Sequence, residues 1–413
     1  MATQRWIGNG ANVAQISTVA VTAYDVTTTY RITMNGKIVG VLGSGGTTTT
    51  AATALTAALN ASEDPEFKEV TWTSSGATIT GTANTPGTLW IATSSVSGGA
   101  GTIGAVTAST ANASKNDASN TANWSGGAIP GTGDTAVFDD GDVDCKWNLL
   151  TMAAAADLTA VIVRDTYRGR IGLPVYSENG IYEPSYRGGV FTAQTITSLT
   201  IEQSSAAGPG WYKFNTGATD CTLLVKGPVS TGLTPGDEVV WYQGSHANSD
   251  AILEGGSLLC APLAGNTSRF DTIKAVNAAL TMTSGHTLTT SGTFTNCSVL
   301  AQCIVPTVTQ DGANATFRGE NAITATALIP KEGTVQWNSS GTITTLGPVG
   351  GLVDFSGDRR AKTVTNAVTL YRGASLNDPH GVVTYSGGIV LTSARISDLQ
   401  TLDVGIGRTL TVA

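Results

Sequence analysis

The side chains with the most chemical capacity are thinly spread along this sequence. His246, His286 and His380 lie far apart, and none has a serine, cysteine or acidic neighbour in a triad-like setting. They are expected to be surface or turn residues. No P-loop, no Gly-x-Gly-x-x-Gly after a strand and no His-Glu-x-x-His occurs, so nucleotide and zinc-protease chemistry have no sequence support. Asp139-Asp-Gly-Asp-Val-Asp144 packs four carboxylates into six residues, and alternate oxygens at that spacing can hold a hard cation such as calcium. The distal Glu of an EF-hand is missing, and a solvated turn between strands is the preferred reading. Glycoside hydrolysis needs two carboxylates at a fixed gap, whereas Asp354, Asp358, Asp378, Asp398 and Asp403 stand singly beside turns. No catalytic residue, metal or cofactor is expected. The five cysteines, Cys145, Cys221, Cys260, Cys297 and Cys303, are odd in number and lack a CxxC. They read as buried thiols acting as small hydrophobes, with a Cys297–Cys303 cross-link as the alternative.

One segment concentrates recognition chemistry. Residues 164–187 gather Arg164, Arg168, Arg170 and Arg187 with Tyr167, Tyr176, Tyr182 and Tyr186, and arginine with tyrosine is the pairing that dominates interface hot spots. These eight residues are the candidate partner interface. A long loop closing one end of the fold is the structural alternative.

The elements that must position these groups follow from composition. Hydrophobic residues make up 41% and charged residues 13%, with 50 glycines, so the polar surface falls to Thr, Ser, Asn and Gly. Branched Thr fits a pleated surface and Gly supplies turns at positive φ, which predicts many short strands, tight turns and little helix. A net charge of −8 and no Lys/Arg cluster argue against nucleic-acid binding. No apolar run is long enough to span a membrane, and the first residues lack the basic and apolar regions of a secretory signal.

Along the chain, residues 1–95 read as a β-rich module of β-α-β type. Tyr30–Val41 forms two alternating strands around Asn35-Gly36, a strong hairpin signal. Thr47–Thr50 can cap a helix whose Ala51, Leu55, Ala58 and Leu59 share one face, and Asp64-Pro65 stops it. Strands are expected at 69–73, 77–82 and 88–93. Residues 96–122, almost devoid of large apolar side chains, read as a linker. From 123 to 413 short β-runs repeat, with Phe317, Trp337, Phe355, Tyr371 and Tyr385 each leading to a Gly two to four residues on, and with steps between the aromatics of 20, 18, 16 and 14 residues. Such steps suit the coil of a single-chain parallel β-helix whose core the aromatics fill; an antiparallel sandwich, with strands recurring at about 8–12 residues, is the alternative. The fold class expected is therefore mainly β, a small N-terminal β-α-β module followed by a parallel β-helix.

Two stretches carry a resemblance. The Asn-Gly hairpin, Ala-rich helix and Asn60-Ala-Ser exit resemble a module recurrent in phage head and tail appendage proteins. Asn123-Trp-Ser-Gly-Gly-Ala-Ile-Pro-Gly-Thr-Gly-Asp-Thr-Ala-Val-Phe138 resembles the opening of bacterial and phage β-helices, in which a Trp lid and a "Pro-x-x-Gly-Asp" turn precede the first rung. The resemblance implies a non-enzymatic bacteriophage structural protein that decorates the capsid or forms a rigid appendage, resident in the virion, with capsid or tail proteins as partners and a homotrimer as its assembly. A tail fibre or tailspike that binds or cleaves host polysaccharide, and a bacterial surface adhesin, are the alternatives.

Overall fold

The computed structural model describes residues 2–145, 158–172, 191–192, 196–205, 207–208, 211–229, 237–262, 267–392 and 401–405. The chain is mainly β, and its body is a parallel β-solenoid of about 10 turns. One long sheet, sheet 1, stacks 13 strands, and a second, sheet 2, stacks 11. In sheet 1 every neighbouring pair is parallel, with register running Thr135↔Ala160, Ala160↔Ser198, Ser198↔Thr222 and Thr222↔Asp250, and it shifts once, between Phe270 and Thr272 in the pairing of Ser268–Val276 with His286–Thr295.

Register explains the sequence pattern. Side chains alternate across a strand, so every second residue of a coil points inward and stacks on its equivalents above and below. One inward row of sheet 1 runs Phe138, Val163, Ile201, Val225, Leu253, Ala275, Phe294. Its counterpart in sheet 2 runs Val240, Leu258, Leu280, Val299, Phe317, Val335, Val353, Leu376. All fifteen are buried in one continuous core.

The aromatic steps need correction. Thr316 pairs with Thr334 and Thr334 with Leu352, so the coil here is 18 residues. Phe317 stacks on Val335, while Trp337 stacks on Gly319, two positions further along the strand. Phe317, Trp337 and Phe355 do fill the core, each fully buried, but Tyr371 is 39% exposed and lies outside it. Coil length varies with the turns, so a fixed aromatic spacing does not report it.

The N-terminal segment differs from a simple β-α-β. Thr3–Arg5 is a strand of the solenoid itself, pairing parallel with Thr135–Phe138. The chain then leaves, builds the module, and returns at residues 114–124. The module holds two antiparallel sheets: Val70–Ser75, Thr78–Ala83, Ile16–Ala23 and Thr102–Ile103 in one, Lys37–Leu42, Thr29–Met34 and Thr93–Ser97 in the other. Asn35 and Gly36 adopt φ of 48° and 77°, the left-handed pair that a two-residue hairpin turn requires. The helix spans Thr48–Ala61, capped by a reciprocal box between Thr47 and Thr50. Its buried face uses Ala51, Ala52, Leu55, Thr56 and Leu59, so Ala58 lies to one side of the stripe.

The strand expected at 88–93 begins only at Thr93. Trp90 is buried, and the Gln15 side chain takes the ladder's place there: Gln15 Nε2 donates to the Trp90 carbonyl at 2.9 Å and Gln15 Oε1 accepts from its N–H at 3.3 Å. Within 96–122, Thr102–Ile103 and Thr107–Thr110 pair with Ile16–Ala23 rather than forming a free linker. Edge pairing is made by main-chain bonds, so small side chains suffice. Among the described residues no helix is long and apolar enough to cross a membrane.

Candidate interaction surface

The junction where the chain leaves and re-enters the solenoid is built around Asn123, which is fully buried. Its Oδ1 accepts from Gly10 N at 2.6 Å, and its Nδ2 donates to the carbonyls of Ser114 and Asp117 at 2.7 and 2.8 Å. Trp6 and Trp124 meet edge to face at 5.2 Å, and both rings pack on Phe138. Asp134 accepts from Ala2 N at 2.7 Å and Gly131 N at 3.1 Å, and the bond from Ala2 does most to hold its carboxyl below the usual range. The Pro-x-x-Gly-Asp turn thus anchors the first rung.

Of the eight residues proposed as a partner interface, Tyr176, Tyr182, Tyr186 and Arg187 lie outside the described residues. The other four do not act as one patch. Tyr167 is fully buried, with its hydroxyl donating to the Val143 carbonyl at 2.7 Å and its ring 5.4 Å from Phe138 and 6.5 Å from Tyr212. It continues the aromatic column into the core and is withdrawn as an interface residue; burial raises its hydroxyl pKa well above the ordinary value. Arg170 lays its guanidinium 4.9 Å from the Trp211 ring. Arg168 is exposed, and Arg164 pairs with Glu202 at 2.8 Å.

The remaining candidates take structural duties. Asp139 pairs with Arg5, Asp140 Oδ1 accepts from Gly141 N at 2.8 Å, and Asp144 Oδ1 accepts from Arg170 N at 2.9 Å. These oxygens serve separate partners, and among the described residues no group of three or more His, Cys, Asp or Glu is placed to hold a metal ion. Asp378 is buried and accepts from Val382 N and Val383 N at 3.1 and 3.0 Å. Asp354 accepts from Ser356 N and Asn377 Nδ2, each at 2.9 Å, and Asp358 pairs with Arg360. Asp403 accepts from Gly405 N at 2.9 Å, and Asp398 lies outside the described residues. All five cysteines are buried and unbridged, and burial pushes the Cys221 and Cys303 thiols up to about 12.

His286 corrects the expectation of a surface residue. It is 4% exposed, its Nδ1 lies 3.0 Å from Ser268 Oγ, and its ring is 5.7 Å from that of Phe270. Desolvation pushes its pKa down to about 3.

The surface that reasoning from sequence missed lies on the outer face of sheet 1. Glu202 pairs in register with Lys226, and Lys226 with Glu254; Arg164 follows Val163, whose partner is Ile201, and so stands beside Glu202. The result is one outward row of alternating sign: Arg164, Glu202, Lys226, Glu254. An open concavity of about 450 Å³ borders it, lined by Asp165, Glu202, Gln203, Lys226 and Pro228. The adjacent outward row is Ile162, Thr200, Leu224, Ile252, with Ile252 36% exposed. The intervening coils differ in length, so only the register aligns these charges.

Compared with known proteins, the sequence matches no family model and no curated protein.

Proposed function

We propose that this chain is a non-enzymatic structural protein of a bacteriophage particle, a rigid appendage or capsid decoration that docks to neighbouring virion proteins. The observation that carries the reading is the solenoid, in which about 10 turns share continuous parallel pairing and one core. A stack of that kind resists bending because each coil is bonded to the next along its whole strand. The support for a phage setting is the resemblance of residues 123–138 and of the N-terminal module to phage appendage proteins. The carboxylates at 354, 358, 378 and 403 are each engaged in a turn or an ion pair, which favours a structural over a hydrolytic reading. Cryo-electron microscopy of the particle encoded beside this gene tests the proposal. Density for the solenoid at repeated positions on the capsid or tail is the expected result. Its absence from the purified particle, together with release of oligosaccharide from host surface polysaccharide, would replace the reading with a depolymerase.

A further inference from the structure

We propose that the outer face of sheet 1 binds a second copy of this chain through a two-fold axis running parallel to the strands. The axis passes between the strands Ser198–Glu202 and Thr222–Lys226. The inference rests on the sign pattern of the charged row and on what each possible symmetry does to it, and it stands independently of the phage reading.

The row Arg164, Glu202, Lys226, Glu254 reads plus, minus, plus, minus along the solenoid. Its members are solvent-accessible: side-chain exposures are 46% and 24% for Arg164 and Glu202, and 45% and 60% for Lys226 and Glu254. A two-fold parallel to the strands reverses the order of coils and leaves position along the strand unchanged. Arg164 then faces Glu254 of the second copy, and Glu202 faces its Lys226, so all four contacts are between opposite charges. The neighbouring row follows the same operation, with Ile162 meeting Ile252 and Thr200 meeting Leu224. Ser198 and Thr222 meet in the row beyond. Past these four coils the charged row runs to Asp139, already paired with Arg5, at one end and Val276 at the other.

A two-fold along the solenoid axis and centred on the same row fails. A two-fold in that direction passing over the charged row keeps each coil level with its own copy, so Arg164 meets Arg164 and Glu254 meets Glu254, whereas a three-fold is heterologous and does not oppose this row to itself. Like charges facing across that two-fold oppose association. The isologous antiparallel arrangement is the one in which this patch is complementary to itself, and it gives an antiparallel dimer.

The pairs Arg164–Glu202 at 2.8 Å and Lys226–Glu254 at 3.6 Å already exist within one chain. The test must therefore separate contacts inside a chain from contacts between copies. Sedimentation velocity of the full chain over a concentration series, at low and high salt, is expected to show a dimer that weakens as salt rises. Glu202→Lys alone, or Lys226→Glu alone, is expected to raise the dimer dissociation constant by roughly tenfold or more. The combined exchange Glu202→Lys with Lys226→Glu destroys both ion pairs within the chain yet restores every opposite-charge contact across the two-fold, so it is expected to regain the dimer. Ile252→Asp, with far-UV circular dichroism as the control for folding, is expected to give monomer. A wild-type monomer or trimer at every concentration overturns the proposal, and so does a dimer that neither single reversal weakens or that the double exchange fails to restore.

Discussion

At the scale of single residues, burial decides which of the chemically capable side chains are free to act. His286 shows the consequence most directly. Its neutral form is favoured in the folded protein because a charged imidazole beside Phe270 would be stripped of water. The folded pKa of about 3 lies below the ordinary 6.5, so the unfolded chain binds the proton more tightly. The stabilisation is complete above about pH 6.5 and is lost as pH falls toward about 3, at roughly 1.4 kcal/mol per pH unit. Urea unfolding of the wild type and of His286→Phe at pH 7 and pH 4.5 measures this: the gap between the two proteins should shift in favour of the variant on acidification, and an unchanged gap would refute it.

At the scale of elements, the solenoid's corners are set by backbone conformation. Gly255, Asn277, Asn296 and Gly312 each follow a sheet 1 strand at equivalent positions, and their φ values are 83°, 53°, 51° and 95°. Left-handed backbone brings a Cβ against the following carbonyl, a cost that Gly avoids and Asn tolerates best. Four successive coils thus turn the same corner with residue types that accept it readily. Asn296→Val is expected to lower unfolding free energy by about 1–2 kcal/mol more than Asn296→Gly does; equal losses in denaturant unfolding would show that the corner carries no such strain.

At the scale of the whole molecule, the first residues close the solenoid. Thr3–Arg5 covers the Thr135–Phe138 strand, and Trp6, 2% exposed, covers Trp124 and Phe138. An uncovered strand edge above an apolar core is a template for aggregation. Deleting residues 2–8 is expected to lower the melting temperature and to produce concentration-dependent aggregation by light scattering, and Trp6→Ala is expected to cost about 3–5 kcal/mol. A truncated protein that melts and scatters like the full chain would mean that the cap is dispensable. The same strand makes the N-terminal module an excursion from the solenoid, pinned where it departs and returns by Asn123.

What the sequence determined by itself was mainly local. Thr, Gly and Asn content and period-2 patterning specify strands and turns, Asn35-Gly36 specifies its hairpin, and Thr47–Thr50 specifies a capped helix, because each signal acts within a few residues. The Trp124-to-Phe138 segment reads as the opening of a β-helix, but the first strand of the sheet is Thr3–Arg5, which pairs with Thr135–Phe138. Tertiary structure decided whatever depends on which coils become neighbours. Tyr167, alike in type to any interface tyrosine, was placed in the core by its stacking on Phe138 and Tyr212. Thr3–Arg5 became a solenoid strand by pairing across more than a hundred residues. Arg164, Glu202, Lys226 and Glu254 became one charged row although the gaps between them in sequence are 38, 24 and 28 residues. In a solenoid the loops absorb length without disturbing the strands, so spacing along the chain does not encode adjacency, and the hydrogen-bond register does.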